Sequence, residues 1–353
     1  MTRIYLDHAA TTPIRPEAEA AMLEGFALWA NPSSPHAEGR KAKAALEDAR
    51  ARVKSALGWD GEVIFTSGAS EAADMALRRA AGGARLVSSV EHDAVLQAAP
   101  DAERLPVNSS GALDLDILAE AVQRERPVVA VQQVNSETGN RQPLDEVARL
   151  VNGAGGLLIA DCAQGAGKIS LPPCDMAIVS AHKFGGPVGV GALLLRNFSV
   201  IAPTGGHERG YRRGTENLPA IMGMAEALEA GSTPYVDPQV MEPLDALAKE
   251  CRELGGIWLA DRLADPTPYV RALAMPRMSG STQLMRFDMA GIAVSQGSAC
   301  SSGTLKKSHL LEAMGLDDDA ASRMIRVSFG WNTSRAEVER FCEVWSDMAR
   351  GAA

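Results

Sequence analysis

Polar residues follow five short apolar runs, each at the point where a β-strand is predicted to end. They are residues 66–71 (Thr-Ser-Gly-Ala-Ser-Glu), Glu91-His92, Asn135, Asp161 with Gln164, and residues 180–183 (Ser-Ala-His-Lys). Parallel α/β sheets bind ligands outside the carboxyl ends of their strands, so these groups should converge on one crevice. That crevice would hold a carboxylate, an amine, an aromatic base and several hydrogen-bonding groups.

Asp161 and Lys183 carry the most specific chemistry of this set. Asp161 ends the apolar run 156–160, where a lone carboxylate is costly unless it meets a cation or a strong donor. A protonated pyridine nitrogen would satisfy it, and a lysine such as Lys183 could form the covalent link that pyridoxal 5'-phosphate (PLP) requires. Each residue alone is more often part of a structural ion pair, whereas the two together favour a PLP site.

The other strand-end residues fit around such a cofactor, although each also has an ordinary structural explanation. Segment 66–70 leads from a strand into a helix and could bind a phosphate, or it could be a Ser-capped helix start. His92 could stack on the cofactor ring and move protons, or bond to backbone. Asn135 and Gln164 could hold the phenolic oxygen of the ring or a substrate carboxylate, or only cap turns. The glycines of segment 186–191 lack G-x-G-x-x-G spacing, which disfavours NAD.

Cys300 differs from the other cysteines in its surroundings. It lies in the small polar stretch 295–304, which is typical of a mobile exposed loop from which a thiol could attack a bound sulfur and present it elsewhere. The other four fall in strand or helix patterns or beside prolines, as small buried residues do: Cys162, Cys174, Cys251 and Cys342. An odd number without CxxC spacing argues against disulfides and a zinc knuckle, and we predict no metal site.

Arg326 and a glycine-rich segment are candidate anion-binding elements. In the strand-like run 324–329, Arg326 and Ser328 share one face, and an Arg held on a strand can grip an amino-acid carboxylate with both nitrogens. A solvated strand face is the alternative. The basic segment 205–215 could reach a phosphate, including one in a neighbouring subunit.

The elements that must position these residues read as an α/β fold with a mostly parallel sheet and helices on both faces. Strands are predicted at 62–65, 85–90, 128–134, 157–160, 176–180 and 191–195, and helices at 70–80, 114–124 and 144–152. The proline-rich stretch 231–243 breaks the pattern. We therefore predict a large domain, 15–240, and a small α+β domain formed by 1–14 and 241–353, which carries the Cys300 loop.

Composition restricts the partners. With 35 Lys plus Arg against 44 Asp plus Glu, the net charge of −9 offers no basic face to nucleic acid. No apolar run approaches the ~18 residues of a membrane span, and no signal-peptide core is present at the N-terminus. We predict a cytoplasmic enzyme.

Together, these motifs resemble those of the NifS/IscS-type cysteine desulfurases, PLP enzymes of fold type I in the class V aminotransferase family. The resemblance runs through residues 5–13 (Tyr-Leu-Asp-His-Ala-Ala-Thr-Thr-Pro), 31–34 with His36, 66–71, Glu91-His92, 135–139, 161–164, His182-Lys183, 207–210 with 213–215, 298–300 and 325–328. It therefore covers nearly the whole chain, and such a series of ordered matches is highly specific.

The resemblance implies a seven-stranded, mostly parallel sheet in the large domain and a role for each candidate residue. Lys183 would carry PLP, Asp161 would pair with the ring nitrogen, His92 would stack on the ring and take part in catalysis, and Gln164 would meet the phenolic oxygen. The implied phosphate contacts are Ala69, Ser70, Ser180, His182 and the partner subunit's Thr215. The implied substrate contacts are Asn31, Asn135 and Arg326.

The reaction implied by the resemblance converts L-cysteine to L-alanine. Sulfur would be captured as a persulfide on Cys300 of a homodimer and passed to an acceptor protein, an iron–sulfur scaffold or a sulfur carrier. A selenocysteine lyase or a small PLP-dependent aminotransferase would use the same cofactor residues, but an aminotransferase has no need of Cys300. A catalytically silent PLP-fold subunit that only binds a partner is a further alternative, against which Lys183, Asp161 and Cys300 argue.

The sequence departs from the family pattern at three places. Val188 stands where a Lys is usual and Gly185 where a larger residue is common, which could alter the entrance to the site. The segment between His92 and Leu113 is trimmed. The sequence ends at Ala353 without the longer tail of members that serve the housekeeping iron–sulfur scaffold, which weakens the expectation of docking to that scaffold.

Overall fold

A seven-stranded sheet forms the central layer of the computed structural model, which describes residues 3–296 and 308–351. The strands are β1 (Ile4–Tyr5), β2 (Glu62–Thr66), β3 (Arg85–Ser88), β4 (Glu103–Leu105), β5 (Val128–Gln132), β6 (Leu157–Asp161), β7 (Met176–Ser180), β8 (Gly191–Leu195), β9 (Ile257–Trp258), β10 (Val270–Ala274), β11 (Ile292–Ala293) and β12 (Met324–Ser328). The α-helices are α1 (Pro16–Ala27), α2 (Ala37–Leu57), α3 (Ala69–Arg79), α4 (Asp93–Ala98), α5 (Leu115–Ala121), α6 (Leu144–Gly153), α7 (Leu218–Glu229), α8 (Pro238–Met241), α9 (Pro243–Glu253), α10 (Gly280–Met289), α11 (His309–Ala313), α12 (Asp318–Arg323) and α13 (Arg335–Gly351).

The strand order in the large sheet is β2-β8-β7-β6-β5-β3-β4. Only β8 runs antiparallel to its neighbours, which confirms the predicted mostly parallel sheet. Strands β5, β7 and β8 are buried along their whole length, because helices cover both faces of the sheet. Helix α6 shows how this packing follows from sequence, since its apolar residues Leu144, Val147, Ala148 and Val151 form one buried stripe at helical spacing.

The predicted elements agree with the structure in type and differ at their ends. The run 85–90 forms a strand only to Ser88, because the chain then turns so that His92 can cap α4. Edge strand β4 was not predicted. It has three residues, of which Glu103 and Arg104 are exposed, so it offers no apolar run to recognise.

A smaller antiparallel sheet, β12-β10-β9, has its own core with α9 and α13. N-terminal residues Leu6 and Ala9 belong to this core, and β1 pairs in parallel with β11. The division into domains at 14/15 and 240/241 stays a prediction. Among the described helices, none combines the length and apolar character that a membrane span requires.

Candidate active site

A cavity of about 500 Å³ opens at the carboxyl ends of the parallel strands. The predicted site residues that line it are Ala69, Ser70, His92, Asn135, Asp161, Gln164, Ser180, His182, Lys183 and Arg326. A wider cavity of about 970 Å³ lies along segments 55–61 and 167–174, and none of the described candidate residues lines it. The smaller cavity is therefore the candidate active site.

Lys183 lies in a short 3-10 turn that follows β7 and faces the N-terminal segment. Its Nζ donates hydrogen bonds to the backbone oxygens of Ala9 and Ala10, at 2.7 and 2.8 Å. The hydroxyl of Thr12 donates to the carbonyl of Lys183 at 3.1 Å. The amine and its backbone are thus held at the cavity wall by residues that lie 171 to 174 positions away in the sequence.

Asp161 ends β6 and accepts a hydrogen bond from the backbone N–H of Ala163 at 2.9 Å. Burial raises the pKa of Asp161, while that hydrogen bond and the nearby charges of His92 and Lys183 oppose the rise. Glu91 lies beside it, and burial and the Asp161 charge raise the pKa of Glu91 well above its usual value. A cationic group in the cavity would relieve this cost, as a protonated pyridine nitrogen would do.

The start of α3 is a candidate anion site. Its N-cap is Gly68, which has a φ of 149°, a backbone conformation that residues other than glycine rarely adopt. The helix start has no side-chain capping hydrogen bond from its N-cap residue. The alternative of a Ser-capped helix is therefore wrong, and the first N–H groups of α3 are available to a phosphate. Ser180 and His182 border the same cavity. Burial, together with the charges of Lys183 and Lys168, lowers the pKa of His182 to about 4, so this ring is neutral at pH 7.

Three candidate residues combine a structural contact with a position on the cavity wall. His92 caps α4, its Nδ1 accepting from the N–H of Ala94 at 3.1 Å. The side-chain oxygen of Asn135 accepts from the N–H groups of Glu137 and Thr138, each at 2.9 Å. Gln164 Nε2 donates to the carbonyl of Ala9 at 2.8 Å. Capping and ligand binding, which the sequence offered as alternatives, are compatible here.

Arg326 is 5% exposed, so the alternative of a solvated strand face is wrong. Its Nη2 lies 2.6 Å from Asp7 Oδ1, and its Nη1 donates to the carbonyl of Ser136 at 2.9 Å. Its Nε is buried and has no partner among the described atoms. Because Arg326 lines the cavity, its guanidinium is suited to bind a carboxylate there.

Two of the described candidates do not line this cavity. Asn31 is exposed, and its side chain accepts from the N–H of Ser33 at 2.8 Å. Thr215 borders a separate cavity of about 170 Å³, together with Gly189 and Arg212. Cys300 lies outside the described residues.

The described residues on either side of Cys300 do reach the cavity wall. Ser295 pairs with Arg326 through two backbone hydrogen bonds, at 3.0 and 2.6 Å. The hydroxyl of Ser308 donates to Glu137 Oε2 at 2.7 Å. Arg326 and Glu137 both line the cavity, so Ser295 and Ser308 each contact a residue of its wall.

Sequence reasoning did not identify Asp7 or Lys168 as parts of the site. Asp7 was visible only within a family motif, and its pairing with Arg326 spans 319 positions. Lys168 follows Gln164 by four residues and bonds to it, a spacing that carries no signal outside a helix. In the described part of the chain, no group of three or more His, Cys, Asp or Glu side chains is arranged to hold a metal.

The groups gathered here fit PLP. An amine, a buried carboxylate, an uncapped helix start and an aromatic base are the groups that its aldehyde, ring nitrogen, phosphate and ring face require. The fit rests on side chains and backbone of one described cavity.

Comparison with known proteins points the same way. The family model for aminotransferase class-V matches residues 4–341. A cysteine desulfurase of Cereibacter sphaeroides is 37% identical, over 98% of this chain and 95% of its own. A solved NifS-like protein superimposes with a TM-score of 0.88 at 29% identity and covers 99% of this chain and 100% of its own. SspA, solved in complex with cysteine, gives a TM-score of 0.80 at 27% identity, over 93% of this chain and 99% of its own.

Proposed function

The chain belongs to the aminotransferase class-V family, and we propose that within this family it is a PLP-dependent cysteine desulfurase. The observation that carries the proposal is the single cavity in which Lys183, Asp161 and Arg326 meet. The similarity over nearly full length to cysteine desulfurases supports the same reaction.

In this proposal each cofactor group has a partner in the cavity. Lys183 would hold PLP covalently, Asp161 would face its ring nitrogen, and the first turn of α3 would bind its phosphate. His92 would lie against the ring. When bound, PLP draws electrons from the bonds around the α-carbon of an amino acid. The contribution of Asp161 is a fixed negative charge, which favours the protonated ring nitrogen.

The substrate carboxylate would bind at Arg326. Strand β12 and the contacts to Asp7 and Ser136 hold the guanidinium in place before substrate arrives. The carboxylate of Asp7 neutralises part of its charge, and the guanidinium lines the cavity in which the ligand would lie. A rigid, partly neutralised Arg would favour an amino acid with a free α-carboxylate over an amide or an amine.

Cys300 would receive the sulfur. Burial raises the pKa of Cys174, Cys251 and Cys342 to about 12, and the pKa of Cys162 well above its usual value, so none of these four is a thiolate at neutral pH. In the proposed step the Cys300 thiolate bonds to the substrate sulfur as the carbon–sulfur bond breaks. The carbon takes up a proton and leaves as alanine, and the persulfide passes to a sulfur-acceptor protein.

We also propose a cytoplasmic homodimer in which the partner subunit's Thr215 completes the phosphate site. Thr215 does not reach the cavity of its own chain, which fits a role in the other one. Large apolar side chains of Leu23, Phe26 and Trp29 are exposed on and just after α1. Gly25 of the same helix packs against Pro219 at the start of α7, which follows Thr215 closely, and an exposed apolar face of this kind would be covered in a dimer.

Mass spectrometry after a single turnover with L-cysteine, without reductant, tests the proposal. We expect one added sulfur on the peptide with Cys300, and none in Cys300→Ser. Cys174→Ser is the matched control, because that thiol is half-buried, and it should keep full sulfur transfer. Isotope-labelled cysteine would then show which candidate, an iron–sulfur scaffold or a sulfur carrier, collects the sulfur. Sulfur on another cysteine, or alanine formation at the parent rate in Cys300→Ser, would contradict this mechanism and favour a lyase.

A further inference from the structure

Lys168 is a buried lysine without a counter-charge. It is 8% exposed, and its Nζ donates to Gln164 Oε1 at 3.2 Å. The rings of Tyr269 and Tyr235 face the ammonium, at 5.0 and 5.3 Å from their centroids. Within the described chain no carboxylate pairs with it. Burying a cation in this way costs free energy that a hydrocarbon side chain would avoid, so its contact with Gln164 needs an explanation.

Two contacts at opposite ends fix the orientation of the Gln164 carboxamide. Lys168 can only donate when charged, so the carboxamide oxygen must face it. The backbone carbonyl of Ala9 can only accept, and Gln164 Nε2 donates to it at 2.8 Å. A flipped carboxamide would set N–H groups against an ammonium and an oxygen against a carbonyl. Both contacts therefore favour the same orientation.

The Gln164 carboxamide and the proposed cofactor lysine share a hydrogen-bond acceptor. The carbonyl of Ala9 that accepts from Gln164 also accepts from Lys183 Nζ, at 2.7 Å. Ala9, Gln164 and Lys183 all line the cavity, and one N–H of the Gln164 amide remains for an acceptor there. A network thus runs from Lys168 through Gln164 and Ala9 to Lys183.

We infer that Lys168 is a positioning residue for the cofactor, which keeps the amide N–H of Gln164 toward the phenolic oxygen of PLP. The inference rests on the PLP site of the proposed function and is independent of the sulfur chemistry. Lys168 acts through Gln164 and does not itself touch the cofactor cavity.

The charge of Lys168, on which this orientation depends, is sensitive to pH. Burial, and then the charges of Lys183 and Arg326, lower the pKa of Lys168 to about 7. The other titratable groups facing it add no anion: burial keeps His8 neutral at pH 7, with a pKa of about 4, and raises the pKa of both tyrosines. Among the described residues, Gln164 is the one to which the Lys168 ammonium donates a hydrogen bond.

A double-mutant cycle on the holoenzyme tests this role without substrate. The readout is the pH midpoint of the visible absorbance change of bound PLP. An N–H donor stabilises the negative phenolic oxygen, so losing it should move the midpoint to higher pH. We expect Gln164→Leu and Lys168→Met each to raise it by about 0.5–1 pH unit. The double variant should shift no further, because the two residues act in series.

Two further variants provide controls. Tyr235→Phe keeps the ring beside Lys168 and leaves Gln164 untouched, so it should keep the parent midpoint. Lys168→Arg retains a donor over the same rings and should also stay close to the parent value. If Lys168→Met does not fold, Lys168→Arg still decides, since a shift as large as that of Gln164→Leu overturns the inference.

An unshifted midpoint in folded Lys168→Met, or additive shifts in the double variant, would likewise overturn it. Failure of the proposed function would look different. The parent protein would then bind no PLP, or Lys183 would not hold it, and no midpoint could be measured in any variant.

Discussion

A buried ion pair between Arg50 and Glu208 fixes the loop that carries Thr215. The two guanidinium nitrogens of Arg50 donate to the two carboxylate oxygens of Glu208, at 2.8 and 3.0 Å, and the Glu208 side chain is 1% exposed. The same carboxylate accepts from the N–H of Phe65 at 2.9 Å, and Arg50 donates to the carbonyl of Val63 at 2.7 Å. The loop is thereby tied to α2 and to β2, which leads into the start of α3, the proposed phosphate site.

Glu208→Gln should destabilise the protein by about 3 kcal/mol, at the lower end for a broken buried pair, because the buried guanidinium then keeps only the half-exposed carboxylate of Glu47 as a counter-charge. At about 1.4 kcal/mol per tenfold, this lowers the ratio of folded to unfolded protein by at least about 100-fold. Arg50→Met should cost a similar amount by leaving the carboxylate unpaired. In the double variant a neutral amide can still accept from Phe65, so we expect the double variant to cost at least about 2 kcal/mol less than the sum of the two single variants.

Urea denaturation followed by circular dichroism measures these differences, at one protein concentration because a dimer would make stability depend on it. Arg78→Met is the matched control. Arg78 pairs with Asp74 on the exposed face of α3, and such surface pairs contribute about 0–1 kcal/mol. Single variants at Arg50 and Glu208 that each cost less than about 1 kcal/mol, or costs that add in the double variant, would refute the reasoning that the loop is held by a coupled buried pair.

Three further predictions concern the site. Arg326→Lys keeps the charge and loses the planar fork, so kcat/KM for cysteine should fall by about tenfold or more, and unchanged kinetics would remove Arg326 from the substrate site. Mixing an inactive Thr215→Ala variant with inactive Lys183→Ala should restore one working site per hybrid dimer, and no recovery in verified hybrids would contradict a shared site. Burial, and next the charge of Lys168, lower the pKa of His8 to about 4, so between pH 6.5 and 4 the unfolded chain binds a proton that the folded apoprotein does not. Its contribution to stability is therefore present above pH 6.5 and is lost as pH falls toward 4. Urea denaturation should show that His8→Asn reduces the fall in the free energy of unfolding over that window by up to about 3 kcal/mol.

The strand-end residues could be predicted because local pattern and chemistry agree. Asp161 and Lys183 stand directly after apolar runs, and parallel strands bring their carboxyl ends to one edge whatever the order of the strands. Periodicity placed α6 and β7 almost to the residue, since their apolar patterns match the buried faces. The large-sheet part of the cavity follows from these local signals.

The N-terminal wall of the cavity could not be found in this way. Ala9 contributes a backbone carbonyl, and any residue could supply that group. Gly68 as an N-cap was missed because Ser67 and Ser70 are stronger capping residues by type, whereas the φ of 149° at Gly68 is a tertiary feature. Such positions depend on the folded backbone and leave no pattern of residue types.

One short segment supports both Lys183 and Arg326. Asp7 pairs with Arg326, and the carbonyl of Ala9 accepts from Lys183 and Gln164, across separations of 319, 174 and 155 positions. Strand β1 itself contributes only two residues to a parallel pair with β11, so it cannot hold the segment firmly alone. The contacts of the site therefore add to those that position the segment, and we expect binding at one end to be coupled to order at the other. We expect Asp7→Asn, which weakens the pairing with Arg326, to raise both KM for cysteine and the dissociation constant of PLP, whereas a purely local effect on Arg326 would raise KM alone.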